Sequence, residues 1–220
     1  ARFLWLVRRP RGDESPTAAQ YADQTYRHWR DHAGTPGPFV RDLLDKGLRF
    51  GFVAAEDHGN PGQGGVTAIV AKEKTRDALF DALLARRTFA TTGARMLLEF
   101  RLGGLDMGQE HVVTAADDLA HSRPMAITIH GSVPIKSFQI IRNGEIFYEE
   151  EVGSLDWNEA IVDEDDLAAL ARPRAFGGPT VYYYLRVIQE DGHMGWTSPV
   201  FLLLSEPKLP TEHAALPGRV

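Results

Sequence analysis

The stretch EDHGNPGQGG at residues 56–65 holds the side chains best suited to chemistry. Glu56, Asp57 and His58 are adjacent and directly follow an apolar run, FGFVAA, at residues 50–55. Carboxylates and imidazoles bind divalent ions, and such an ion can activate a water molecule for hydrolysis. From spacing alone the alternative is a polar turn in which the aspartate caps main-chain amides.

The composition limits which chemistry is possible. The 220 residues include no cysteine, which excludes thiolate nucleophiles and cysteine-ligated zinc or iron–sulfur sites. Any metal must therefore be bound by His, Asp or Glu. The net charge of −6 argues against a nucleic-acid partner, because such binding depends on neutralising phosphates. The longest apolar runs have five residues, far below the roughly 20 that span a bilayer, so no membrane partner is expected. A chain without thiols suits reducing and oxidising compartments alike, so its localisation stays open.

The elements that would position these residues change in character near residue 95. Before it, apolar runs of strand length alternate with segments of helical period, which is typical of an α/β domain over residues 1–95. We predict strands at residues 3–7, 50–55 and 66–71, and helices at residues 17–32, 39–47 and 72–87.

From residue 96 onward the sequence alternates over strand lengths. Asn143-Gly144 and Asp191-Gly192 each lie between β-rich flanks and favour type I′ hairpin turns. We therefore predict an antiparallel β-sandwich over residues 96–205, followed by an extended tail at 206–220.

Four stretches occur in this order along the chain: LRFGFVAAEDHGNPGQGGVTAIVA at 48–71, ARRTFATTGARMLLEFRLGG at 85–104, IIRNGEIFY at 140–148 and YYYLRVIQEDGHMGWTSPVFL at 182–202. Together they resemble a bacterial branch of the PHP-type (polymerase and histidinol phosphatase-like) metal-dependent hydrolases. The resemblance implies an α/β plus all-β fold, in which the C-terminal part of a distorted βα barrel precedes the sandwich. It also implies hydrolysis of phosphoesters or related esters with divalent metal ions (Zn, Mn or Fe).

The resemblance also assigns roles to individual residues. His58 matches the family's motif histidine, Glu56 stands where the family has an aspartate, and Asp57 is the competing metal ligand. Arg87 or the hydroxyls of Thr91 and Thr92 would lie near the barrel mouth, where they could reach a small anionic substrate. Alternatively, Arg87 has a structural role: it lies at the C-terminal end of a predicted helix, where its positive charge interacts favourably with the helix dipole.

Two departures from the family pattern leave two interpretations open. The motif carries a glutamate in place of aspartate, and no two of the eight histidines form the His-x-His pair with which the family begins. In the first interpretation the chain is an incomplete C-terminal portion of a hydrolase, completed by an N-terminal segment or a second chain. In the second it is a non-catalytic, degenerate or truncated member whose β-sandwich is a binding or docking module.

Overall fold

A computed structural model describes residues 40–55 and 64–205. Within these ranges the chain is mainly β-strand with three short α-helices. The elements are α1 Val40–Asp45, β1 Val66–Ile69, α2 Arg76–Leu84, β2 Thr88–Thr91, β3 Leu97–Leu102, β4 Leu105–Asp106, β5 Glu110–Val113, a 3₁₀ turn Asp118–Ala120, β6 Arg123–His130, β7 Ile135–Arg142, β8 Glu145–Glu151, β9 Asp156–Asp163, α3 Leu167–Leu170, β10 Thr180–Gln189, β11 Met194–Thr197 and β12 Val200–Leu204.

Eight of the described strands form a large sheet around β10. On one side β10 pairs with β7, and β7 pairs with β8. On its other side β10 pairs with β11 along its C-terminal half and with β12 along its N-terminal half. Beyond these, β2 pairs with β11 and β1 with β2, whereas β5 lies parallel to β12. All the other pairs are antiparallel.

The remaining four described strands form a smaller antiparallel sheet in the order β4-β3-β6-β9. Every second side chain of β3 and β6 is buried, as expected for strands with one face on a core and one in solvent. These side chains pack against the facing residues of the large sheet. The core so formed includes Leu98, Phe100, Leu102, Met125, Ile127 and Ile129 from the small sheet and Phe138, Ile140, Leu185, Val187, Val200 and Leu202 from the large one.

A second apolar cluster covers the outer face of the large sheet. Tyr182 and Tyr184 of β10 point to this face, while Tyr183 between them points into the sandwich core. Leu44 of α1 and Phe52 of the following extended segment are also members of this cluster. Three consecutive tyrosines are therefore buried because β10 is covered on both faces.

The βα barrel predicted for the first part of the chain is wrong for the described residues. The sequence order of strand, helix and strand at 66–91 is typical of a parallel unit, but β1 and β2 pair directly and antiparallel, from Val66 opposite Thr91 to Ile69 opposite Thr88. The connecting helix α2 lies within a long hairpin. Apolar periodicity predicts a helix without specifying the direction in which the next strand returns, so it does not distinguish a βα barrel from this hairpin.

The extended segment at residues 50–55 forms no regular strand, although its apolar run predicted one. Side-chain hydroxyls take the place of a neighbouring strand. The Phe52 main-chain N–H donates to Ser198 Oγ at 2.8 Å, and its carbonyl accepts from Thr88 Oγ1 at 2.8 Å. Thr67 Oγ1 bonds both the N–H and the carbonyl of Ala54, at 2.8 and 2.6 Å. The buried main chain is thus satisfied without a ladder.

Local predictions of helices and turns fare better. The short helix predicted before Gly47 is confirmed as α1, with Gly47 at φ 91°, and the helix within 72–87 is confirmed as α2. Asn143 and Gly144 have φ 50° and 80°, which confirms a type I′ turn between β7 and β8. The second hairpin forms, but only Gly192 of its Asp-Gly pair has positive φ, so its type I′ assignment is wrong.

Several predicted features lie outside the described residues. They are the strand at 3–7, the helix at 17–32 and the tail at 206–220. In the part of the chain that the structure covers, no helix has the length and apolar content needed to cross a membrane.

A buried ion cluster joins the two sheets. Arg123 and Asp163 face each other as a cross-strand pair of the small sheet, and Arg142 and Tyr183 form a cross-strand pair of the large sheet. The Asp163 carboxylate accepts from Arg123 at 3.0 Å, from Arg142 at 2.8 Å and from the Tyr183 hydroxyl at 2.7 Å. The side chains of Arg123 and Asp163 are both 0% exposed. Asp165 pairs with Arg142 at 2.7 Å, so two carboxylates balance two guanidinium groups.

The protonation of Asp163 follows from these contacts. Burial by itself would raise the pKa of Asp163, but the hydrogen bonds from Arg123, Arg142 and Tyr183 outweigh it and hold the pKa below its usual range. Burial raises the pKa of Tyr183, and the neighbouring Asp163 charge adds to that effect. The cluster is therefore charged on the aspartate and neutral on the tyrosine.

We expect the substitution Asp163→Asn to lower the free energy of unfolding by about 3–5 kcal/mol, because it leaves the buried Arg123 charge unpaired. The matched control is Asp165→Asn, whose side chain is 59% exposed and whose loss should cost about 0–1 kcal/mol. Urea unfolding followed by circular dichroism measures both. Equal costs for the two variants would contradict this account of the cluster.

We also expect the protein to lose stability in acid. Asp163 and Asp117 both have lowered pKa values, the latter through its hydrogen bond with His111 and a main-chain N–H from Leu119. Their contribution is complete above the usual aspartate pKa of about 3.9 and is lost as the pH falls through the lowered values. The urea concentration at the unfolding midpoint should fall as the pH is lowered from 6 to 2. It should fall less steeply in Asp117→Asn than in the unaltered protein. A midpoint independent of pH would contradict the assignment.

Candidate functional site

The predicted metal ligands Glu56, Asp57 and His58 lie outside the described residues. The main chain on either side of them is described. On one side, Ala54 is held by Thr67 of β1. On the other side, the carbonyl of Gly64 lies 3.0 Å from the point where a Cβ on Gly93 would be. The segment that carries the three residues therefore leaves and rejoins the fold at the β1–β2 end of the large sheet.

Thr92 and His193 form a pair at this end of the sheet. The Thr92 Oγ1 and His193 Nδ1 atoms are 2.9 Å apart. The Met194 main-chain N–H donates to the same hydroxyl at 2.9 Å, and the Thr92 N–H donates to the Met194 carbonyl at 2.9 Å. These bonds extend the β2–β11 pairing by one residue and fix the hydroxyl against the imidazole.

His193 is positioned by the turn that precedes β11. Its main-chain N–H donates to Asp191 Oδ1 at 3.0 Å, and Gln189 Nε2 donates to the same oxygen at 3.3 Å. His193 is not among the site residues that the sequence predicts. The available signal was its place directly after the Asp191-Gly192 turn, but only the tertiary structure brings it beside Thr92, which is 101 residues away in sequence.

Gly93 permits the close approach of these segments. Its φ of 124° is a conformation that residues with a Cβ rarely adopt. A Cβ there would also lie 3.0 Å from the Gly64 carbonyl oxygen and 3.6 Å from His193 Cε1. Gly64, Gly93 and His193 are consequently neighbours, and we call them, together with Thr92, the Thr92–His193 site.

The structure does not bring Arg87 into this site. Arg87 precedes β2 and Thr92 follows it, so the two Cα atoms are about 16 Å apart along an extended strand. The Arg87 Nε is buried without a hydrogen-bond partner among the described residues. The neighbouring Arg86 has φ 58° and binds the Gly108 carbonyl at 2.8 Å and Glu110 at 3.3 Å, which is a structural role.

A small cavity lies at the opposite end of β10, beside the β7–β8 turn. It is lined by Arg142, Glu145, Phe147 and Arg172, among others. Arg142 is engaged by Asp163 and Asp165, and Arg172 binds Glu145 at 3.1 Å. The charges of this cavity are thus satisfied within the fold.

The Thr92–His193 site can orient an imidazole. Which of the two atoms donates across the Thr92–His193 bond depends on the imidazole tautomer. A histidine that binds a metal through Nε2 commonly donates its Nδ1–H to an oxygen that fixes the ring, and Thr92 Oγ1 is suitably placed. Within residues 40–55 and 64–205, no three His, Asp or Glu side chains form a group that could hold a metal ion.

Comparison with known proteins identifies a family. The family described as "Protein of unknown function (DUF3604)" matches residues 21–137, more than half of the chain, and the chain belongs to this family. Proteins named "Uncharacterized protein" from Chlamydia muridarum and Chlamydia pneumoniae are 33% and 34% identical over 190 and 191 residues, or 77% of this chain. One from Chlamydia trachomatis is 32% identical. The chain spans about 30% of the length of each relative.

These matches correct the resemblance stated in the sequence analysis. The family that matches is DUF3604, not a PHP family, and the relatives carry no PHP description. The PHP assignment is therefore wrong. It rested on the order of short motifs, of which the IIRNGEIFY and YYYLRVIQEDGHMGWTSPVFL stretches lie in strands β7, β8 and β10–β12 of the sheet core.

We expect Gly93→Ala to lower the free energy of unfolding by about 1–3 kcal/mol, because alanine is strained at this φ and meets the Gly64 carbonyl. The matched control is Gly104→Ala, at φ 83° with open space around its Cβ, which isolates the backbone strain of about 1–2 kcal/mol. Urea unfolding of both variants gives the difference. A Gly93 variant more stable than the Gly104 variant would contradict the close approach.

Proposed function

We propose that this member of the DUF3604 family contributes to a divalent-metal-dependent hydrolase acting on a phosphoester or a related ester. One observation carries the proposal. The segment holding Glu56, Asp57 and His58 rejoins the fold at Gly64, which lies beside Gly93 and His193. Carboxylate, imidazole and hydroxyl groups are thereby tethered to one end of the sheet.

The residues present suit a metal of the zinc, manganese or iron kind. Such ions take imidazole nitrogen and carboxylate oxygen. His58 is six residues from Gly64, so the chain allows it to lie anywhere within about 20 Å of that residue. Glu56, His58 and His193 would hold the ion, with Asp57 as the alternative carboxylate. Thr92 would orient His193 through its Nδ1, and the ion when bound would lower the pKa of a water molecule.

Further metal ligands and substrate contacts would come from other parts of a longer protein. The curated relatives are about three times as long as the matched region, which leaves room for further ligands and for substrate contacts. Arg87 has no part in the proposal as a substrate contact, since it lies at the other end of β2. Thr92 acts as a positioning residue.

The test uses a form of the protein extended to the length of the relatives. Its metal content is measured by elemental analysis, and its activity is measured by hydrolysis of p-nitrophenyl phosphate. We expect bound zinc, manganese or iron, and a metal affinity at least ten-fold lower in His58→Asn and in His193→Asn. In Thr92→Val the affinity should fall about 10–100-fold, because the imidazole loses its orienting partner. His121→Asn, at an exposed histidine, is the matched control and should match the unaltered protein.

An extended form that binds no divalent metal would overturn the proposal. If His58→Asn loses the metal but His193→Asn keeps it, His193 and Thr92 are not part of the metal site. Thermal unfolding of each variant shows whether a loss follows from misfolding.

The second candidate function is a non-catalytic docking module, and the charge distribution favours it. Residues 143–171 contain ten carboxylates and no Lys, Arg or His, whereas the whole chain has a net charge of only −6. This range includes β8 and β9, the outermost strands of the two described sheets at one side of the sandwich. Tyr148 donates to Glu150 there, which raises the pKa of Tyr148 to about 12. A metal-free extended form would favour this candidate over the hydrolase.

A further inference from the structure

Helix α2 presents an apolar face to solvent. Phe80, Leu83 and Leu84 are 60%, 43% and 66% exposed, and their i, i+3, i+4 spacing places them on one side of the helix. Val70, just after β1, is 45% exposed. Of the nine α2 residues only Ala82 is buried, and it lies on the opposite side from Phe80. We call Phe80, Leu83 and Leu84 the α2 apolar face.

This face differs from the other exposed apolar residues of the described chain. Exposed side chains such as Leu97, Val162 and Phe176 are separate from one another along the chain and need no partner. Three large apolar side chains on adjacent turns of one helix instead mark a contact surface.

The sequence offers an occupant with a matching surface. Residues 17–32, TAAQYADQTYRHWRDH, lie outside the described residues, and their sequence predicts an amphipathic helix. Apolar or small side chains recur at i, i+3, i+4, i+7, i+8 and i+11, and the intervening positions except Ala19 are polar or charged. The stripe comprises Ala18, Tyr21, Ala22, Thr25, Tyr26 and Trp29.

The two surfaces belong to one family unit and lie within reach. The family match runs from residue 21 to residue 137 and includes both most of this stripe and all of α2. The extended segment that follows α1 touches the end of α2, since a Cβ on Gly51 would lie 2.9 Å from Arg86 Cβ. The seven residues 33–39 that lead into α1 span up to about 25 Å.

We infer that residues 17–32 pack their apolar stripe on the α2 apolar face. The contact would cover Phe80, Leu83 and Leu84, which are exposed in the described part of the chain. It adds a layer beside β1, an edge strand of the large sheet. The inference stands independently of the proposed metal chemistry.

Engineered cysteine pairs test the contact in the full 220-residue chain, because the protein has no cysteine of its own. In Ala22→Cys with Leu83→Cys, one cysteine lies on the stripe and the other on the α2 apolar face. The matched control, Arg27→Cys with Leu83→Cys, places the first cysteine on the polar side of the same segment. Oxidation is followed by non-reducing electrophoresis and by mass spectrometry of peptides.

We expect the intrachain disulfide of the first pair to form at least ten-fold faster than that of the control pair. Equal rates would overturn the inference. The inference would also be overturned if Leu83→Cys alone formed interchain dimers faster than the first pair forms its intrachain disulfide. That result would indicate that a second copy covers the face.

A second measurement leaves the segment itself unaltered. In Phe80→Ser with Leu84→Ser, both changes are on exposed residues, so the described core should keep its fold. Trypsin cleavage at Arg27 and Arg30 should accelerate at least five-fold, with cleavage at Lys208 as the internal reference. Unchanged cleavage would overturn the inference.

Discussion

The carboxylate of Asp163 is the point on which the sandwich depends. It is fully buried between the sheets and accepts hydrogen bonds from Arg123 on its own sheet and from Arg142 and Tyr183 on the other. An ion pair at this depth gains stability only if each charge is matched and each polar atom is bonded. The cluster therefore fixes the position and the register of one sheet relative to the other, which apolar packing alone leaves less specific.

The same cluster limits where function can lie. It occupies the end of the sandwich near the β7–β8 turn, where the arginines are all engaged by carboxylates. The opposite end of β10 is different, because there Thr92, Gly93 and His193 meet the main chain that follows the predicted ligand segment. The fold thus separates a structural end, rich in matched charges, from an end with an oriented imidazole.

The residues of the candidate site differ in how far the sequence indicates them. Thr92 is among the residues that the resemblance assigns to the site, although as a substrate contact and not as a partner of an imidazole. His193 was not foreseeable, because its partner is 101 residues away and the pairing of β2 with β11 brings them together. Arg87 and Thr92 are close in sequence, but strand β2 lies between them, and only the structure shows this separation. Glu56, Asp57 and His58 stay predictions.

The sequence by itself determined the local structure. Gly47 ends α1, Asn143-Gly144 makes the β7–β8 turn, and alternation along β3 and β6 marks their buried faces, since each depends on neighbouring residues and main-chain sterics alone. Only the tertiary structure decided that β1 and β2 run antiparallel into the large sheet and that Asp163 is buried. Strand direction depends on which distant edge offers hydrogen bonds, and burial of a charge depends on partners from both sheets. In the acidic run at residues 163–166, the sequence alone therefore does not distinguish the buried Asp163 from the exposed Asp165.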